Sequence, residues 1–244
     1  IFGGLSRISK VVSRLVPIMS LLYVGVAFYI LLMNWSEVPH YLMLIVTDAF
    51  TGMAAAGGAI GTVIATGVRR GAFSNEAGIG TEAMAHGAAR TSEPVREGLV
   101  AMLGPIIDTL LICTATALLI LMTGAWQVTD ASGVTITSIA FETALPEYGS
   151  FLLITCIFFF SITTIFSYSY YGSKCLGFLI GAERKHYYNY LIILMTVVAS
   201  MLSLDAMVGL IDGAFALMAI PTMTSTIILA PKVMLAARIY FDKI

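Results

Sequence analysis

The chain has 244 residues, of which 59% are hydrophobic and 11% are charged, and its mean hydropathy is +0.93. An average soluble domain is about one quarter charged, so this composition excludes an ordinary water-soluble enzyme and places the chain in a bilayer. The formal net charge of -1 argues against a nucleic-acid-binding protein, which would carry a basic excess. The three cysteines have neither CxxC nor Cys/His spacing, so no zinc site or disulfide framework is predicted.

The sequence predicts an all-α, polytopic membrane protein in which residues 1–244 form a single transmembrane domain. A helix needs about 20 apolar residues to cross the hydrocarbon of a bilayer. Six segments meet this requirement, approximately 11–33, 39–68, 98–123, 149–171, 187–204 and 206–230. Because the chain begins with Ile1 rather than Met, we expect it to be a fragment of a longer protein.

The basic residues fix a predicted orientation. With six spans, all 13 Lys and Arg residues fall on one side of the membrane, whereas the opposite loops carry acidic residues but neither Lys nor Arg. The positive-inside rule makes the basic side cytoplasmic, so both ends of the chain are predicted to be inside. On the outer side, residues 139–145 form a short amphipathic run, which we expect to lie along the surface.

The second span departs most from a featureless apolar helix. Glycines are frequent near its middle, where the sequence reads AFTGMAAAGGAIGT over residues 49–62. One interpretation is a helix broken near residues 52–58, whose free backbone groups bind a substrate and a cation. The other is a continuous helix that uses small residues for close packing. The residues alone leave both interpretations open.

Polar side chains also lie inside other spans. Asp48, Asp108 and Asp212 are candidates for a cation or proton path, or are structural carboxyls, and none has an evident basic partner at its depth. Span four carries hydroxyl residues that include Thr163 and Thr164. Hydroxyl oxygens suit a weakly held alkali cation, although Ser and Thr also serve as packing contacts between membrane helices.

The chemistry of an enzyme is not predicted. The three histidines fall in loops or at interfaces, so a buried serine would lack the base that an intramembrane hydrolase requires. The sequence contains neither a nucleotide-binding nor an HExxH motif, and no cofactor is predicted.

One run of residues is more specific. Residues 69–80, RRGAFSNEAGIG, resemble the cytoplasmic RG-x-FSNEAG-x-G segment of the alanine or glycine:cation symporter family. Further matches occur in the family's order at Ala49-Phe50, Ala54 to Gly58, Ile107-Asp108-Thr109, Ile112-Cys113-Thr114, Thr163-Thr164 and Ser169 to Gly172. The resemblance covers the whole chain and implies the leucine-transporter (LeuT) class of fold, with two inverted five-helix repeats. Span one would end the first repeat, spans two to six would form the second, and span two would be its broken helix. The resemblance thus implies that the chain is the C-terminal part of a longer protein.

The resemblance implies a symporter of the inner (plasma) membrane that couples entry of sodium, or of protons in some members, to uptake of alanine, glycine or a similar amino acid. Sodium would be a transported ion rather than a cofactor. The implied substrate-binding residues are Phe50, Thr51, Met53, Ala56, Gly57 and Tyr168, with Phe50 and Met53 as the hydrophobic wall. Family members often carry Trp where this chain has Tyr168, which makes the wall smaller and more polar.

The resemblance also implies that Thr163 and Thr164 complete a sodium site. Residues 70–76, which include Arg70, Asn75 and Glu76, are a candidate cytoplasmic gate or an ordinary packed loop, and Asp108 is a coupling or a structural residue. The alternatives to this function are a LeuT-type carrier of another solute and a non-transporting membrane channel or sensor.

Overall fold

The computed structural model describes residues 4–50, 60–129, 131 and 133–243, and within these residues all regular structure is helical. This confirms the predicted all-α class. The α-helices are α1 (Gly4–Met33), α2 (Val38–Phe50), α3 (Ile60–Asn75), α4 (Thr81–His86), α5 (Pro94–Ala101), α6 (Leu103–Pro105), α7 (Thr114–Met122), α8 (Val134–Ala144), α9 (Gly149–Ile180), α10 (Tyr187–Ala199) and α11 (Leu204–Phe241). A π-helical segment, Ile106–Cys113, joins α6 to α7, and a short 3-10 helix occupies Ala125–Gln127.

Four stretches of the described residues are long and apolar enough to cross a membrane: Lys10–Met33, Pro94–Met122, Gly149–Ile180 and Leu204–Phe241. They correspond to predicted spans one, three, four and six. In place of the fifth predicted span, α10 has 13 residues, which corresponds to about 20 Å and is shorter than the hydrocarbon layer. The predicted second span begins as α2 and ends within α3, and its predicted break near residues 52–58 lies outside the described residues. The number of crossings stays a prediction.

The π-helical segment follows a proline. Pro105 has no backbone N–H, so it removes one hydrogen bond from the ladder of a helix that would otherwise continue. The next eight residues, Ile106–Cys113, form a π helix that contains Asp108. Single π turns inside α-helices are frequent at functional sites, which makes this wider segment a place to examine for function.

The chain divides into two compact units. Unit 1 comprises residues 1–60 and 111–192, and unit 2 comprises residues 61–110 and 193–244. Unit 1 has a buried apolar core in which α1 packs on α7, α8 and α9, and its most deeply buried members include Leu119, Ala140 and Phe141. In unit 2, α5 packs on α4 and on α11.

The apolar face of the predicted amphipathic run 139–145 packs on protein, and its placement along the membrane surface stays a prediction. Residues 139–144 belong to α8, in which Ala140 and Phe141 are 0% and 1% exposed, whereas Glu142 and Thr143 are exposed. The Phe141 ring lies 5.6 Å from the Tyr23 ring, so the apolar face of this short helix packs against α1. An amphipathic pattern shows that one face is buried, but it does not distinguish a lipid interface from a protein core.

Candidate functional site

The two threonines predicted to bind sodium differ in their burial. Thr163 lies on the stripe of α9 that includes Leu153 and Cys156 and is 5% exposed, whereas Thr164 is exposed. Adjacent helical residues point about 100° apart, so the burial of one hydroxyl does not bury the other. Of the two predicted ligands, only Thr163 is buried in this chain.

The hydrogen bonds of Thr163 leave its oxygen able to accept. Its hydroxyl donates within α9 to the carbonyls of Phe159 and Phe160, at 2.9 Å and 3.0 Å. A hydroxyl has a single proton and two lone pairs, so a threonine that donates to its own helix keeps acceptor capacity for another group or a cation. The next turn repeats the pattern, because Ser167 donates to the Thr163 carbonyl at 3.0 Å. The result is a polar stretch in an otherwise apolar helix.

The predicted substrate residues are only partly described. Phe50 is the last residue of α2, and Thr51, Met53, Ala56 and Gly57 lie outside the described residues. Tyr168 is half-buried on α9, and its ring meets the Tyr171 ring edge to face at 5.8 Å. The structure therefore leaves the predicted substrate wall as a prediction.

A short series of hydrogen bonds also links polar groups in the core of unit 1. The hydroxyls of Tyr23 and Thr116 are 2.5 Å apart, and Thr116 donates to the Ile112 carbonyl at 2.8 Å. Because the single Thr116 proton is used in that bond, Tyr23 must be the donor to Thr116. These two hydrogen bonds connect α1 to the end of the π-helical segment.

The gate candidates are brought together in unit 2. At the end of α3, Ser74 donates to the Asp108 carboxylate at 2.6 Å, and the Asn75 amide donates to the Thr109 hydroxyl at 3.3 Å. The Asn75 carbonyl oxygen accepts the Ala77 N–H at 2.9 Å, which forms a local turn after the helix. Asn75 and Asp108, predicted separately, thus belong to one contact between α3 and the π-helical segment.

The next residues, 76–80, form a tight loop that we call the glycine loop. Glu76 has φ +54°, and Gly78 and Gly80 have φ +84° and +96°, so the chain repeatedly visits the left-handed region. The Glu82 carboxylate accepts the Gly78 N–H at 2.8 Å and the Gly80 N–H at 3.1 Å. Backbone N–H groups that converge in this way form a concave anion site, and here the chain fills it with its own side chain.

The expectation that Asp212 lacks a basic partner is wrong. Its carboxylate is 3.8 Å from the Arg70 guanidinium and 3.9 Å from that of Arg69. The segregation of charges along the sequence suggested that these groups lie on opposite sides of a span, but a long arginine side chain can reach along a helix toward a deeper acid.

The comparison with known proteins decides the family. The model of the sodium:alanine symporter family matches residues 1–244. The chain belongs to this family. It is a family of transporters rather than enzymes. The long apolar helices of this chain make it a multi-pass membrane protein.

Several curated relatives of this symporter-family chain carry functional names. The chain is 35% identical to the probable sodium/glutamine symporter GlnT of Bacillus subtilis, with 98% of this chain and 50% of the relative covered. It is 34% identical to the sodium/alanine symporter AgcS of Methanococcus maripaludis, over 94% and 51% of the two chains. It is 37% identical to the sodium/proton-dependent alanine carrier protein of Bacillus sp. strain PS3, over 76% and 45%. The chain spans about half the length of the curated relatives it matches.

Sequence reasoning missed two residues that the structure places beside the gate candidates of this family member, Ser74 and Glu82, and it missed the partners of Asp212. Ser74 stands inside the matched run, and its neighbour Asn75 was favoured instead. Glu82 is an acid in the first turn of α4 after two glycines, a pattern that indicates a carboxylate able to reach loop amides. Asp212 was recognised as an intramembrane acid, but local sequence contains no signal for its arginine partners.

Proposed function

We propose that the whole protein is a symporter that couples the entry of sodium to the uptake of a small amino acid such as alanine or glycine. The family match over the entire chain is the observation that carries this proposal. The sodium/alanine and sodium/glutamine names of the relatives support both the ion and the substrate class. Because another relative is named for both sodium and protons, the experiment must also test coupling to protons.

Thr163 is our proposed ligand for the ion. It is buried, and its own helix orients its proton, so its oxygen can accept a cation without first losing a hydrogen bond. A neutral hydroxyl is a hard and weak ligand, which suits an ion that must be bound and released in every cycle. Thr164 is the second proposed ligand and has less support, because it is exposed in this chain.

The substrate proposal is steric. Phe50, Thr51, Met53, Ala56, Gly57 and Tyr168 are the proposed binding residues. A site limited by Phe50 and Met53 can exclude large side chains, but it separates glycine from alanine weakly, because one methylene contributes about 1–3 kcal/mol. We therefore expect glycine and serine to compete with alanine, and leucine to compete poorly.

Uptake of radiolabelled alanine by the full-length protein in proteoliposomes tests this function. A sodium gradient should drive accumulation of alanine inside the proteoliposomes. A pH gradient without sodium should drive it only if protons can serve as the coupling ion in place of sodium. Uptake that depends on neither gradient, or strong competition by leucine, would refute the proposal. Competition by glutamine that exceeds competition by glycine would transfer the substrate assignment to larger amino acids.

The ion site has a matched control on the same helix. Thr155 also donates to its own helix, to the Phe151 carbonyl at 2.8 Å, but it is only half-buried. We expect Thr163→Val to raise the half-saturating sodium concentration about tenfold, which corresponds to a loss of about 1.4 kcal/mol of ion binding. Thr155→Val should leave it unchanged. Equal effects of the two substitutions would exclude Thr163 as a ligand, and an effect of Thr164→Ala equal to that of Thr163→Val would show that both contribute.

The gate belongs to the same proposal. We propose that residues 70–76 and Asp108 form the cytoplasmic gate, supported by the bonds from Ser74 to Asp108 and from Asn75 to Thr109. If so, Asp108→Asn should impair uptake and increase the reaction of an introduced cysteine at Ala77 with a thiol reagent added from the cytoplasm. Reaction from the outer face instead would contradict the proposed orientation, in which both ends of the chain lie inside the plasma membrane.

A further inference from the structure

The ion pair of Asp212 lies within a membrane-spanning helix. Asp212 is eight residues after Leu204, the first residue of α11, and so lies about 12 Å along the helix axis. Its side chain is 15% exposed, whereas those of Arg69 and Arg70 are 58% and 51% exposed. A charge at such depth is expensive when unpaired, which explains why both guanidiniums turn toward this carboxylate.

The ion pair is the first of a series of contacts between α3, the glycine loop and α11. Three residues beyond Asp212, Phe215 packs on Phe73 of α3 with the ring centroids 5.4 Å apart. The Arg70 guanidinium lies over the Phe73 ring, 6.0 Å from its centroid, so the charged and aromatic contacts share a residue. This contact orients Arg70 toward α11.

The series continues into the glycine loop, which meets α11 beyond Phe215. A Cβ at Gly78 would lie 2.5 Å from Met223 Cε, and a Cβ at Gly80 would lie 2.9 Å from the Thr222 hydroxyl oxygen. Between these two glycines, Ile79 is 3% exposed. Arg69 and Arg70 meet Asp212, Phe73 meets Phe215, and the loop that follows meets Thr222 and Met223. Because α3 and the loop lie along one stretch of α11, the position of α3 on α11 sets the position of the loop.

We propose that Asp212 is a positioning residue for transport: by holding Arg69 and Arg70, it keeps the glycine loop seated on α11 and the cytoplasmic side closed. The proposal rests on the proposed symport function for its role in transport, but the seating of the loop can be measured separately. Asp212 acts through the two arginines and does not itself contact the ion or the amino acid. Loss of the pair shifts the population toward a state with the loop lifted.

The test measures the accessibility of Ile79 and the uptake of alanine by the same full-length protein. Cysteine replaces Ile79 after Cys113, Cys156 and Cys175 have been changed to serine, and a thiol reagent is added from the cytoplasmic side. We expect Asp212→Asn to increase the labelling rate at least about fivefold, the lower end of typical coupling between sites. The half-saturating concentration of external alanine should rise by a similar factor, because fewer carriers face outward.

Two further variants keep the test decisive if Asp212→Asn folds poorly. The double substitution Arg69→Gln/Arg70→Gln removes the pair from the other partner and should give the same increase. Asp205→Asn removes an exposed acid from the same helix and should change neither the labelling nor the uptake. Exchanging the charges, with Asp212→Arg and Arg70→Asp, should restore slow labelling.

The outcomes separate the two proposals. Labelling that is equally slow in Asp212→Asn, in the arginine double variant and in Asp205→Asn would overturn the positioning role, whatever the uptake result. Faster labelling in the first two variants, in a protein that shows no sodium-driven uptake, would uphold the seating of the loop and refute the symport function.

Discussion

The Glu82 carboxylate offers the sharpest test of how the glycine loop is held. It accepts the N–H groups of Gly78 and Gly80 at 2.8 Å and 3.1 Å. A hydrogen bond to a charged group contributes about 1.5–3 kcal/mol, and partial access to water places these two at the lower end. Glu82→Ala removes both bonds and should destabilise the loop by about 3 kcal/mol, whereas Glu82→Gln retains one acceptor oxygen and should lose about half of that.

Amide hydrogen exchange is the appropriate assay because the loss is local. The loop can open without unfolding α3 or α11, so the change appears in the protection of the peptide that spans residues 77–81. Since each 1.4 kcal/mol corresponds to a factor of ten, exchange in this peptide should accelerate about a hundredfold in Glu82→Ala and about tenfold in Glu82→Gln. Glu93→Ala is the control, because the Glu93 side chain makes no capping hydrogen bond to α5.

Unchanged protection in Glu82→Ala would refute the view that this carboxylate holds the loop. Equal acceleration in the alanine and glutamine variants would refute the division of the energy between two oxygens. If instead the peptides of the whole of unit 2 exchanged faster, the effect would be global, and Glu82 would stabilise the fold rather than the loop.

Three further substitutions test the local geometry, with thermal unfolding of the detergent-solubilised protein as the measurement. Glu76 has φ +54°, a strained conformation for a residue other than glycine, so Glu76→Gly should stabilise the protein by about 1 kcal/mol. Glu76→Gln keeps this backbone strain and removes only the charge, so it should not stabilise the protein. The buried Thr81 hydroxyl has no hydrogen-bond partner in the part of the chain that the structure describes; Thr81→Val should therefore stabilise by about 1 kcal/mol, and destabilisation would show that the hydroxyl is satisfied. A Cβ at Gly149 would overlap the Phe141 carbonyl, so Gly149→Ala should destabilise by about 3 kcal/mol, whereas Gly25→Ala, where the space is open, should not.

The prediction of the sodium site illustrates where sequence reasoning stops. The resemblance pointed to Thr163 and Thr164 together, and adjacent threonines differ by about 100° around a helix. Only the tertiary packing of α9, which contacts α1 and α8, decides that Thr163 is buried and Thr164 exposed, because the apolar residues of this helix do not form a single stripe in the sequence.

The acidic residues show the same limit. Asp108 and Asp212 were both recognised as carboxylates inside apolar segments, but their partners, Ser74 for one and Arg69 and Arg70 for the other, are remote in sequence. Glu82 was overlooked because a carboxylate near a helix start is common, and only the loop geometry shows that two amides converge on it.

The sequence by itself determined the membrane class, four of the six predicted spans as long apolar helices, and the family, because hydropathy, segment length and a run of matched residues are properties of the local chain. The tertiary structure decided what the apolar face of α8 packs against, which threonine of α9 is buried, and which groups neutralise Asp212. These features depend on contacts between segments far apart in the chain. A short amphipathic helix has the same pattern against lipid as against protein, and a charge carries no record of the partner that folding brings to it.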